Sequence, residues 1–298
     1  MPVVVVETQT DTTCNLVGGL GNQLFQIFTT IAYAKRNNIN FHFKPDKVLT
    51  TGRHRPTYWK TFLSGLESHL LPIQETNEIM TYYEPWFHYK QIPAPLPPLK
   101  LNKFTTIILS GYFQTEEYFL EYRSEILKMI DFDRIQLEIK SEFFPPASSS
   151  PENNITSIHF RLGDYLKTPD YHPIMTTEYY STALNLLCSV LGCEPSTIFF
   201  FCEEESNLHV NEIITILGKS YPNIKWIKVD DNISDWKQMV IMSCCDHHII
   251  ANSSFSWWGA WLNPSVSKNV YYPMKWFGKA FQGITDDLIP KNGNWIGI

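Results

Sequence analysis

The segment Ile155-Thr156-Ser157-Ile158-His159-Phe160-Arg161-Leu162-Gly163-Asp164-Tyr165 begins as an apolar run and ends in a cluster of histidine, arginine, glycine and aspartate. A strand that gives way to such a loop is where open α/β sheets place their ligands. The arginine can fork onto a phosphate, the aspartate can carry or take a proton, and the glycine lets a bulky anion approach the backbone. The alternative is an Arg161–Asp164 ion pair that only braces a turn.

Downstream the pattern alternates: strand 155–160, helix 177–191, strand 197–202, helix 206–218, strand 224–229, helix 234–244, strand 247–251, helix 254–262, strand 269–272. Alternation of this kind implies a parallel sheet with helices on both faces. Each strand ends in polar residues: Arg161 and Asp164, then Glu203 and Glu204, then Asp230 and Asp231, then Asn252-Ser253-Ser254. Parallel strands bring these ends to one rim. The last of them continues as Phe255-Ser256-Trp257-Trp258-Gly259-Ala260-Trp261-Leu262. Its hydroxyls and helix-start N–H groups make an anion site that needs no metal. Ser253 or Ser254 as an ordinary N-cap and the tryptophans as core are compatible with that role.

Working back, Pro145-Pro146-Ala147-Ser148-Ser149-Ser150-Pro151 has the composition of a linker. It divides the chain into domains 1–150 and 151–298, with the terminal stretch 274–298 free to cross back to the first. The first domain opens with Gly18-Gly19-Leu20-Gly21-Asn22-Gln23-Leu24-Phe25-Gln26, and apolar residues at helical spacing run from Leu20 to Lys35. This is strand, glycine turn, helix. A nicotinamide fingerprint is disfavoured, because the third glycine position after Gly19 and Gly21 holds Leu24. Asn22 and Gln23 offer amides suited to sugar hydroxyls, with helix capping by Asn22 as the plainer role. Residues 44–100 read as irregular and aromatic, followed by a strand at Thr106–Leu109 and a helix from Glu116 to Met129. Asp131-Phe132-Asp133 has the D-x-D form of metal-dependent sugar transferases, but it follows a helix rather than a strand.

Composition narrows the classes. The 298 residues are 18% charged and 44% hydrophobic, which describes a folded chain long enough for two domains. The net charge of −6 and the lack of a basic run argue against nucleic acid, so an anionic ligand must be met by a few placed groups. Cys14, Cys188, Cys193, Cys202, Cys244 and Cys245 include no C-x-x-C pair, which disfavours a structural metal and fits reduced thiols. Val3–Val6 is too short for a signal sequence or an anchor, and no later run reaches spanning length. The expectation is a cytoplasmic protein with no membrane span, in which the sequons at Asn154, Asn232 and Asn252 carry no meaning.

Three motifs, Gly18–Gln26, His159–Tyr165 and Ala251–Leu262, in this order resemble the α-1,2-fucosyltransferases of glycosyltransferase family eleven, and the resemblance runs from Cys14 to Lys275. Tyr171-His172, Glu178-Tyr179-Tyr180 and Ser234-Asp235 are also similar to the family. The chain departs from it in the middle of the first half, at Leu162, where a second arginine is often found, and in lacking the anchor of animal members. The departures leave the acceptor open and place the chain with bacterial-like or viral enzymes.

The resemblance implies a GT-B fold, two Rossmann-like domains facing across a cleft, with GDP-fucose held mainly by the second. It implies inverting, metal-independent transfer of fucose to the 2-hydroxyl of a galactose-containing oligosaccharide, with no cofactor. Arg161 and the helix start at Asn252, Ser253, Ser254 and Phe255 would meet the diphosphate, and His159 and Asp235 the guanine. Asn22, beside Gly19, Gly21 and Gln23, would reach the reacting region. Asp164 is the first candidate for general base, with Asp170 as the alternative and His172 on the same loop. The competing classes are a nucleotide-sugar-binding protein without transfer activity and a nicotinamide-dependent sugar-modifying enzyme.

Overall fold

The computed structural model describes residues 10–50, 54–74, 78–85, 88–95, 104–144, 154–280 and 287–298. The chain divides into Met1–Asp133 and Arg134–Ile298. Each unit is Rossmann-like, an α/β layer built on a parallel sheet, which is the GT-B class expected. Among the described residues no helix is long and apolar enough to cross a membrane.

In the first unit, β1 (Thr10–Cys14) leads through Gly18 and Gly19 into α1 (Leu20–Asn37) and back to β2 (Asn40–Phe41). From Leu20 to Ala34 every residue of α1 except Asn22 is buried, the polar Gln23, Gln26, Thr29 and Thr30 included. Asn38, in the left-handed region at φ 51°, ends the helix. The stretch 44–100 is less irregular than its sequence. It holds the antiparallel pair β3 (Val48–Leu49) and β4 (Arg55–Pro56), and then β5 (Glu78–Tyr83). β5 pairs in parallel with β6 (Thr105–Ser110), which pairs with β1, so the sheet order is β2-β1-β6-β5. β5 is an edge strand whose Ile79, Met80 and Tyr83 stay exposed, so it lacks the alternation that marks a half-buried strand.

The helix expected from Glu116 starts only at α2 (Arg123–Met129), after two short 3₁₀ turns. Phe119 separates them at φ −140°, ψ −2°, because its fully buried ring packs on Phe25 and Phe28 of α1. α3 (Phe132–Phe143), absent from the sequence reading, crosses the division between the units. Gln136 of α3 donates to the Ser243 hydroxyl at 3.0 Å, which ties this helix to the second unit and moves the division from 150 to Asp133. The proline-rich segment 145–151 lies outside the described residues.

The second unit follows the expected alternation: β7 (Ile155–His159), α4 (Thr177–Leu191), β8 (Thr197–Phe201), α5 (Asn207–Ser220), β9 (Lys225–Lys228), α6 (Asp235–Ser243), β10 (His247–Ile249), α7 (Ser254–Leu262) and β11 (Asn269–Tyr272). A last strand, β12 (Asn294–Gly297), adds in parallel to β11 at the edge of this unit's sheet. The sheet order is β12-β11-β10-β7-β8-β9. Its central strands are buried on both faces: Thr156, Ser157 and Ile158 in β7, and Ile198 to Phe201 in β8. Leu184 and Leu187 of α4 and Val210 and Leu217 of α5 join Ile158, Ile198 and Phe200 in one core. Full burial of side chains of this size stabilises by roughly 1.5–3 kcal/mol each.

Candidate active site

The second unit's sheet grows outward from β7 through β8 to β9, and the chain then returns to the other side of β7 with β10. Strand order reverses there, so the connections after β7 and β10 leave in different directions and a crevice opens between their carboxyl ends. One wall is the segment after β7, the other the start of α7. Contacts between them include the rings of His159 and Phe255, 5.5 Å apart, and the Tyr165 hydroxyl, which donates to the Asn252 carbonyl at 3.1 Å.

Arg161 is the cation of this rim, with only 16% of its side chain exposed. Its Nη2 donates to Asp164 Oδ1 at 2.6 Å and its Nη1 to Glu203 Oε1, while Tyr165 stacks beneath the guanidinium at 4.8 Å. Burial opposes the arginine's charge, but Glu203, Tyr165 and Asp164 outweigh it and raise its pKa. The turn that carries Asp164 depends on Gly163, at φ +31°, whose N–H donates to the Ser206 hydroxyl at 3.2 Å. A Cβ at this position would lie 1.8 Å from Glu203 Oε2, so a larger residue would strain the turn and displace that carboxylate.

His159, at the end of β7, is 6% exposed, and its Nδ1 is buried with no hydrogen-bond partner. Burial, with Arg161 adding to it, pushes its pKa down to about 3, so the ring is neutral and can donate and accept. Across the crevice Asn252 is 2% exposed. Its Nδ2 donates to the Pro173 and Trp276 carbonyls at 2.9 and 3.0 Å, and its Oδ1 is buried without a partner. Two orphaned polar atoms on facing walls are costly unless a ligand meets them.

Ser253 caps α7 by accepting from the Phe255 N–H at 3.3 Å, and Ser254 and Phe255 are partly accessible beside it. Trp257, Trp258 and Trp261 are buried, so cap and core coexist with an open first turn. His172 stacks on Tyr165 with centroids 4.3 Å apart, and burial lowers its pKa. Asp170 is exposed and pairs with Lys279 at 3.1 Å. Asp235 opens α6 after β9 and is also exposed, its carboxylate accepting from the Trp236 N–H at 2.8 Å. It opens the helix that leads from β9, two strands from β7, back to β10. The direct contacts thus join His159 to Phe255 and Arg161 to Glu203, whereas the resemblance groups His159 with Asp235 and Arg161 with α7.

In the first unit the reversal falls between β1 and β6. Gly19 is the N-cap of α1 without a side-chain bond, Gly21 is buried in its first turn, and Asn22 does not cap. Instead Asn22 Oδ1 accepts from Gln114 Nε2 at 2.9 Å, which links the helix start to the segment after β6. Gln23 is fully buried and braces the loop, its Nε2 donating to the Gly18 and Pro56 carbonyls at 3.0 and 2.9 Å. Glu84, just after β5, accepts from the Tyr112 and Phe113 N–H groups at 2.7 and 2.9 Å, and burial raises its pKa to about 7 despite those bonds. Asp131 and Asp133, the D-x-D pair, are both exposed, Asp131 at φ 55° between α2 and α3.

Glu203, Gln114 and Glu84 were not among the site residues expected from sequence. All three follow a strand closely, and the sequence places Glu203 among the polar strand ends of the rim, but nothing in it pairs Glu203 or Gln114 with another residue. Their partners are 42 and 92 residues away, which no local pattern reveals.

The model of Glycosyl transferase family 11 matches residues 6–298. The chain is similar to an α-1,2-colitosyltransferase of Escherichia coli, 30% identical over 282 residues that cover 88% of this chain and 91% of that protein. It is also similar to a galactoside 2-α-L-fucosyltransferase of Caenorhabditis elegans, at 22% identity over 266 residues, 85% of this chain and 69% of that protein. The structure of Escherichia coli ADP-heptose LPS heptosyltransferase II shares the fold with a TM-score of 0.50, at 10% identity, over 97% of this chain and 90% of that one.

Proposed function

Since the chain belongs to glycosyl transferase family 11, we propose that it transfers L-fucose from GDP-β-L-fucose to the 2-hydroxyl of a galactoside, with inversion and without a metal ion. The observation that carries this reading is the reversal crevice of the second unit. A pinned, partly buried arginine stands there beside two orphaned polar atoms, His159 Nδ1 and Asn252 Oδ1, next to an open helix start. The relatives' names support the linkage, since one is an α-1,2-colitosyltransferase and the other a galactoside 2-α-L-fucosyltransferase.

In the transfer the acceptor oxygen bonds to the anomeric carbon as the bond from that carbon to the phosphate oxygen breaks, and GDP departs with the electron pair. Negative charge grows on the diphosphate. Arg161 and the first-turn N–H groups of α7 are fixed before the reaction and need no reorganisation to meet it. In this reading His159 and Asp235 hold the base of the nucleotide. The acceptor's proton passes to a carboxylate. The 2.6 Å bond from Arg161 supports reading Asp164 as the arginine's brace, and in that reading exposed Asp170, paired with Lys279, is the candidate base.

The identity to the colitosyltransferase favours a second reading, in which the donor carries a colitosyl group on the same site. Incubation with GDP-fucose or a colitosyl donor and a panel of β-galactosides, following GDP release and product linkage, tests both. Release of GDP with α-1,2-linked product from one donor assigns it; binding without release would make the chain a nucleotide-sugar binder.

A further inference from the structure

Glu203 comes from the end of β8, the strand next to the one that carries Arg161. Asp164 belongs to the arginine's own turn and moves with it, whereas Glu203 ties the other arm of the guanidinium to a neighbouring strand. Its second oxygen is buried without a hydrogen-bond partner, and the turn at Gly163 is shaped around it. A partly buried carboxylate with an orphaned oxygen is a poor device for stability. It is also a poor device for attracting an anion, because two carboxylates on one arginine over-neutralise it. What remains is geometry.

We infer that Glu203 is a positioning residue, which anchors Arg161 so that the donors left free by its two carboxylates face the leaving diphosphate. This rests on the reading of the rim as a nucleotide-sugar site. The consequence is opposite in sign to simple charge: removing a negative group near an anion site should tighten anion binding, whereas removing an anchor should weaken it.

The test is titration calorimetry with GDP, ADP and guanosine on the full chain. Glu203→Ala should weaken GDP binding about tenfold or more, as expected for loss of a charge-assisted contact, and leave guanosine binding unchanged. Glu203→Gln keeps an acceptor oxygen and should recover most of that loss. Gly163→Ala, which displaces the carboxylate, should reproduce the alanine effect. In an Arg161→Ala background Glu203→Ala should add nothing, because it acts only through the arginine. Tighter GDP binding by either Glu203 variant, equal losses for GDP and guanosine, or additive effects in the double variant would overturn the proposal. The wild-type titrations test the underlying reading separately. If ADP binds and GDP does not, the guanine assignment falls while the role of Glu203 is read from ADP; a chain that binds neither overturns both.

Discussion

Arg161 is gripped on both arms by carboxylates and stacked from below by Tyr165, an arrangement that uses the planar fork of a guanidinium. An ammonium cannot reproduce it. Arg161→Lys should lower turnover on the order of 10²–10³-fold, checked by GDP release at saturating donor. His159 has the opposite electrostatic fate. Its pKa falls from the ordinary 6.5 to about 3 through burial. A depressed folded-state pKa contributes stability that is fully present above pH 6.5 and is lost as pH falls toward 3, because the unfolded chain takes the proton first. Wild-type protein should therefore lose on the order of a few kcal/mol between pH 6.5 and 4 from this group, and a His159→Gln variant should lose less over that window, measured as the shift in urea midpoint. At this scale the sequence carried Arg161, Asp164 and His159 in one readable heptad. It carried Glu203 only as a strand-end residue of the rim, because its bond to Arg161 exists only once β7 and β8 pair.

α7 shows how one element serves both packing and the site. Its tryptophans fill the core while Ser253 holds the first turn open, and Gly259 lets α6 approach closely. A Cβ at Gly259 would lie 2.4 Å from Met242 Sδ. Gly259→Ala should destabilise by about 1–3 kcal/mol through overpacking, seen as a lower thermal midpoint, and Met242→Ala in the same chain should restore part of it. The bounds of α4, α7 and β11 follow from periodicity and capping residues in the sequence. β5 and the turns before α2 do not, because one is an exposed edge and the other is set by where the Phe119 ring finds room against α1.

For the molecule as a whole, a ligand that binds only the folded state stabilises it. GDP at a hundredfold excess over its Kd should add about 2.7 kcal/mol, and the thermal midpoint should rise more with GDP than with ADP. Transfer should persist in excess chelator, since Arg161 and α7 meet the diphosphate's charge in the proposed reaction; a strict need for Mg²⁺ or Mn²⁺ would return Asp131 and Asp133 to consideration. The sequence by itself determined the α/β class, the alternation of the second unit and the polar strand ends that make its rim, because periodicity and turn chemistry are written in neighbouring residues. Only the tertiary structure decided that β12 stays beside β11, that β10 and β7 flank the reversal, and that Glu203 and Gln114 complete Arg161 and Asn22. Those are pairings between residues far apart in the chain, selected by how strands and helices bury their surfaces together, and no local stretch of sequence contains that information.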